Sequence, residues 1–113
     1  MAIIDLGYLE HFCKGDRDRV EQTIRMDLEA SPGLFADLAL KAAAGDADGL
    51  ALAAHSLRPQ VNYMGAHRLF EALTTIEQKA RAEGVAACAE LIARLPGMNE
   101  SVLDELRAAL GQA

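Results

Sequence analysis

The chain has no tryptophan, and only two tyrosines, three phenylalanines, two cysteines and three prolines in 113 residues. No β-rich run alternates apolar with polar residues, and no Asn-Gly or Asp-Gly pair joins two apolar runs, so no sheet is expected. Cys13 and Cys88 stand far apart, outside any C-x-x-C or zinc spacing and each within a helical pattern, which makes them free buried thiols rather than a disulfide or a metal site. His11 and His67 lack the i, i+4 partners or nearby cysteines and carboxylates that zinc requires. No metal and no cofactor of its own is therefore expected. A basic stripe is also missing: 17 acidic residues face 11 basic ones, for a formal charge of −6. Binding to nucleic acid phosphates needs the opposite balance, so nucleic acid is excluded as a partner. No span of about 18 apolar residues could cross a membrane. Met1–Asp5 has neither the basic region nor the apolar run of a signal peptide, so a cytoplasmic location is expected. Walker-type glycine loops, serine elbows and ATP-binding segments are absent as well.

What the chain does have is alanine, leucine and punctuation. Half of its residues are apolar, and the length fits one domain, residues 1–113, that buries about two thirds of its unfolded surface. Asp5 can cap a short first helix with Tyr8, Leu9 and Phe12 inward, stopped at Gly15. Asp16 caps a second, with Val20, Ile24 and Leu28 inward. Ser31-Pro32-Gly33 then interrupts it, Ser31 serving as a new cap and Pro32 as a first helical residue, so that two helices or one bent helix remain open. Leu34, Phe35, Leu38 and Ala42 turn inward up to Gly45. Asp46 caps the next helix, with Asp48 adding favourable charge to its first turn. After Gly65 a helix runs to about Glu83 on a stripe of Leu69, Leu73, Ile76 and Ala80, and the short turn makes these two helices antiparallel neighbours. Beyond Gly84, one helix buries Val85, Cys88, Leu91, Ile92 and Leu95 up to Pro96-Gly97. Asn99 or Ser101 starts the last, with Leu103, Leu106 and Leu110 inward. The expected fold is all-α, an antiparallel four-helix bundle with an additional short N-terminal helix.

The functional information concentrates in Ala53–Ala66. Leu50, Ala54, Leu57, Val61 and Met64 form one helical stripe, and His55 lies off it. His55, Arg58 and Asn62 share a neighbouring face, with Ala51 one turn before the histidine. Imidazole, with an unperturbed pKa of about 6.5, is largely neutral at pH 7 and offers a nucleophilic nitrogen. A guanidinium one turn away attracts an anion, and phosphate suits the pair.

Ala54-His55-Ser56-Leu57-Arg58, followed by Met64-Gly65-Ala66, resembles the signature of histidine-containing phosphotransfer (HPt) domains, with Arg58 where lysine is usual. The resemblance extends over nearly the whole chain in segment order and length. It implies that His55 is the phosphoacceptor and Arg58 the cation beside the phosphoryl group. It also implies that Glu77, 22 residues after the histidine, accepts a hydrogen bond from the ring nitrogen that is not phosphorylated. One position departs from the pattern, since Pro59 stands where most members have glycine. Proline lacks the N–H that would reach the His55 carbonyl, so a kink after the histidine is expected.

The function so implied is that of a phosphorelay intermediate without kinase activity of its own. His55 takes a phosphoryl group from the aspartyl phosphate of a receiver domain and passes it to another receiver. The partners expected are response-regulator receiver domains or a hybrid sensor histidine kinase, with Mg²⁺ on the receiver, and a docking surface that includes Ala51, Leu52, Pro59 and Asn62. The chain is expected to be a monomer, and its initial Met and full set of helices favour a free-standing protein. Two alternatives remain: a non-phosphorylated helical adaptor that binds receiver or kinase domains through the Pro59 face, and an all-α dimerisation module.

Overall fold

The long dimension of the molecule, 42 Å, is set by its longest helix. In the computed structural model, which describes residues 3–111, helix α2 runs Arg17–Ala43, and 27 residues rising about 1.5 Å each span about 40 Å. Helix α1 (Gly7–Phe12) precedes it; α3 (Ala47–Tyr63), α4 (His67–Glu83), a 3₁₀ turn (Val85–Cys88) and α5 (Ala89–Ala109) follow. Three-residue connections at Ala44–Asp46 and Met64–Ala66 force neighbouring helices to run antiparallel. Helices α2 to α5 form the expected four-helix bundle, α1 is the additional short helix, and no strand occurs among the described residues.

Two of the expected caps act where the sequence places them. Asp16 accepts from the Arg19 amide at 3.3 Å and Asp46 from the Gly49 amide at 2.8 Å, each satisfying an orphan donor of a first turn. Asp5, expected to cap α1, instead lies two residues before its start at Gly7; the N-cap is Leu6, and the Asp5 carboxylate accepts from the Gly7 amide at 2.9 Å. The stripe Leu50, Ala54, Leu57, Val61 and Met64 is buried throughout, as are Leu69, Leu73, Ile76 and Ala80 of α4. Val20, Ile24 and Leu38 from α2 and Leu95, Val102, Leu103 and Leu106 from α5 complete the core. Both cysteines are buried and unpaired. Their burial gives them the role of small apolar residues.

Several expectations are corrected. Of the two arrangements left open at Pro32, the single helix is the one found, so Ser31 is an interior residue and not a cap. Pro96 does not divide α5 as expected, so Asn99 and Ser101 are interior as well. The core stripe keeps its phase through each proline, Ile24, Ser31 and Leu38 in α2 and Leu95, Asn99, Val102 and Leu106 in α5. An interior proline costs about 3 kcal/mol, and packing on both sides of it outweighs that cost. The polar members of the two stripes meet: Ser31 Oγ donates to Asn99 Oδ1 at 3.2 Å in the buried seam between α2 and α5. Both prolines lie on the exposed side of their helices. A cleft of about 330 Å³ opens over this seam around Pro32 and Pro96, and none of the candidate site residues lines it.

Tyr8 and Phe12 also differ from expectation. Each is 53 % exposed, while Leu9 is the buried residue of α1, followed by the buried Cys13 at its C-cap. The two rings instead flank Tyr63 at the end of α3, with centroids 5.4 and 5.1 Å away. Leu34, expected inward, is exposed. Leu28, Phe35, Ala42, Val85, Leu91, Ile92 and Leu110 are partly buried and pack against the core.

The segment before α1 straps the end of the bundle. The Ile3 and Ile4 amides donate to the Glu105 carboxylate of α5, at 2.9 and 3.3 Å. The Asp5 amide donates to the Met64 carbonyl at 3.2 Å, in the turn between α3 and α4. Gly65 in that turn has φ of +66°, and a Cβ there would collide with the Asp5 backbone. Only glycine meets both conditions.

Candidate functional site

The α3–α4 hairpin brings together side chains that are 22 residues apart in sequence. His55 lies ten residues before Gly65 and Glu77 twelve after it, so the antiparallel helices place them side by side. His55 Nδ1 lies 3.2 Å from Glu77 Oε1. A carboxylate can only accept, so the proton of this hydrogen bond is on Nδ1 and the lone pair is on Nε2. The His55 side chain is 60 % exposed and that of Glu77 only 12 %. The imidazole therefore stands at the surface with its inner nitrogen bound.

Glu77 carries two further partners. Arg58 Nη1 donates to the same Oε1 at 3.0 Å, and Arg81 Nη1 donates to Oε2 at 3.1 Å. Burial alone would raise the pKa of Glu77, but the hydrogen bonds from Arg58 and His55, with their charges, outweigh it and hold the carboxyl below its ordinary value. Two guanidinium groups against one carboxylate leave a local charge of one positive, in a chain whose net charge is −6. An anion is attracted here more than anywhere the average charge would suggest.

The helical wheel of α3 explains what flanks the histidine. Ala51 and Arg58 lie roughly 40–60° to one side of His55 and Leu52, Pro59 and Tyr63 roughly 40–80° to the other. Arg58 reaches α4, so the first side is the closed one. Ala51 is accordingly 0 % exposed, which removes it from the expected docking surface. A methyl group at this level lets α3 and α4 approach closely. Leu52 is 60 % exposed, and Pro59 and Asn62 are exposed too, as expected of that surface. Helix α3 continues unbroken through Pro59, leaving the His55 carbonyl without its usual amide partner.

The sequence reading missed three features of this region. Arg81 was legible as the i+4 partner of Glu77 on one helix face. Phe70 had no such signal: Arg58 lies over its ring at 5.0 Å from the centroid, a contact made only across the hairpin. The exposed rings of Tyr8 and Phe12 extend the apolar side of His55 past Tyr63, because α1 folds over the end of α3.

Among the described residues no group of three His, Cys, Asp or Glu side chains is placed to hold a metal ion, and no helix is long and apolar enough to cross a membrane. No curated protein and no solved structure matches the chain significantly. A family model does: that of the Hpt domain covers residues 9–112 of the 113. Hpt domains are helical phosphocarrier modules of two-component phosphorelays, not kinases, and they work with receiver domains and kinases. On this match, with the helical bundle that carries it, the chain belongs to the Hpt domain family.

Proposed function

We propose that this chain is a phosphorelay intermediate in which Nε2 of His55 accepts a phosphoryl group from a receiver-domain aspartate and passes it to a second receiver. The observation that carries the reading is the His55–Glu77 pair, which binds the inner ring nitrogen and leaves the outer one to solvent. The Nε2 lone pair attacks the phosphorus of the aspartyl phosphate. An N–P bond forms as the P–O bond to the aspartate breaks, and the aspartate leaves as a carboxylate. Nδ1 keeps its proton throughout, so the phosphorylated ring is an imidazolium, and the ionised Glu77 beside it offsets that new charge. The second transfer is the reverse step on a different aspartate.

In this reading the receiver brings its own Mg²⁺ and lysine to the transferring oxygens, and no cofactor of this chain enters the step. The docking surface is the apolar side of His55: Leu52, Pro59 and Tyr63, extended by Tyr8 and Phe12, with Asn62 at its edge. The chain acts as a monomer in the cytoplasm.

The test incubates the protein with a receiver carrying labelled phosphate. Wild type should acquire an acid-labile, base-stable label on His55, and His55→Gln should acquire none. Equal labelling of His55→Gln sinks the proposal. Stable binding of the charged receiver with no transfer would instead make the chain an adaptor that uses the same docking surface.

A further inference from the structure

The two arginines on Glu77 are held very differently. Arg58 lies between α3 and α4 with its side chain 30 % exposed, its guanidinium over the Phe70 ring at 5.0 Å from the centroid, and one Nη on Glu77 Oε1 at 3.0 Å. Its Nε is buried without a partner. Such a group has little room to move: swinging outward gives up the aromatic face and the carboxylate together. Arg81 is 55 % exposed, touches Glu77 through the other oxygen only, and rises from α4 one turn beyond Glu77. An exposed ion pair of this kind is weak and easily exchanged.

We propose that Arg81 is the cation that contacts the phosphoryl group on His55, and that Arg58 is a positioning residue, fixed on Phe70, that holds Glu77 against Nδ1. The inference rests on the phosphocarrier reading of His55. Before transfer, Arg81 shares in neutralising Glu77. When the N–P bond has formed, the ring carries positive charge next to Glu77 and the phosphoryl oxygens carry negative charge outside it. Arg81 then exchanges Oε2 of Glu77 for a phosphoryl oxygen, and the imidazolium takes over part of the neutralisation of Glu77. Arg58 stays where it is, because its stacking contact does not depend on the state of the histidine. The arrangement divides the two tasks a cation has here, one fixing the carboxylate and the other following the phosphate.

The test charges the full chain with phosphoramidate, without any receiver: the P–N bond of the reagent breaks, ammonia leaves with a proton, and the phosphoryl group bonds to Nε2. On charging, the Arg81 side-chain Nε–H resonance should shift while that of Arg58 stays, and His55→Gln should abolish the shift. Arg81→Gln should keep the ring nitrogen chemical shifts of the uncharged histidine and reduce the charged fraction or its lifetime about threefold or more. Arg58→Gln should change those ring shifts through loss of the Nδ1–H tautomer, and Arg58→Lys, which keeps the charge but cannot stack as a planar group, should restore them only in part. A shift at Arg58 with Arg81 unmoved, or an Arg81→Gln variant that charges and holds phosphate like wild type, overturns the assignment and leaves the phosphocarrier reading intact. Failure of wild type to charge at His55 overturns both.

Discussion

His55 and Glu77 are joined by a 3.2 Å contact between Nδ1 and Oε1, and that contact converts a common surface histidine into one with a defined outer nitrogen. Its strength depends on Glu77 being ionised. The carboxyl is held below its ordinary value of 4.5, so its charge adds stability that is fully present above that value and is lost as pH falls through the lower value in the folded protein. Chemical denaturation from about pH 6 to about pH 3 should therefore show wild type losing more stability than Glu77→Gln, which has no such charge to lose. Parallel curves for the two proteins would show that the ion pairs around Glu77 contribute nothing to folding.

Asp27 makes the opposite prediction. It lies on α2 beside the hollow shared with Gln60, Tyr63 and Met64, and burial pushes its carboxyl from 3.8 up to about 6. A raised value means that the folded state prefers the protonated acid. The resulting penalty is absent below 3.8, grows up to about 6 and is complete above it. Asp27→Asn should stabilise the protein at neutral pH, on the order of 1–2 kcal/mol once partial access of water is allowed for, and should have little effect near pH 4. A stability difference that does not change with pH would count against this account.

Gly65→Ala should be among the most damaging small substitutions in the chain. A left-handed φ of +66° and the crossing Asp5 backbone both oppose a Cβ. A loss of about 2 kcal/mol or more is expected in thermal or urea unfolding, whereas the same change at Gly33, where nothing lies near a Cβ, should be neutral or stabilising.

The buried Ser31–Asn99 pair gives a cycle. Ser31→Ala leaves the Asn99 side chain without this hydrogen bond at 8 % exposure, which should cost about 1–3 kcal/mol. Adding Asn99→Leu removes the orphan and extends the apolar seam, so the double variant should regain most of that loss. A double variant less stable than either single one would show that the pair specifies how α2 meets α5.

Much of this architecture was legible because the helical stripes are strong. The set from Leu50 to Met64 reads as one face of α3, His55 falls off it, and the spacing from His55 to Glu77 fits a hairpin closed at Gly65. The two long helices were harder to read. Pro32 follows Ser31 and Pro96 precedes Asn99 by three residues, and both polar residues look like caps unless their partner across the seam is known. Continuity of phase from Ile24 to Leu38 is the local clue, and it counts for more than the breaker. Ala51 was misplaced because a face drawn around His55 does not reveal which of its edges another helix will cover. Phe70 and the outward Tyr8 and Phe12 depend on contacts between elements, for which periodicity gives no measure.

The wheel of α3 sets the apolar residues on one edge of the histidine and the charged cluster on the other. Recognition and reaction therefore occupy separate territory. Leu52, Pro59 and Tyr63 form no part of the Glu77 cluster, so under the proposed function substitutions at those three positions should alter the choice of partner while leaving the His55–Glu77 pair as it is. On the proposed reading, a change of receiver then requires no change in the charged cluster.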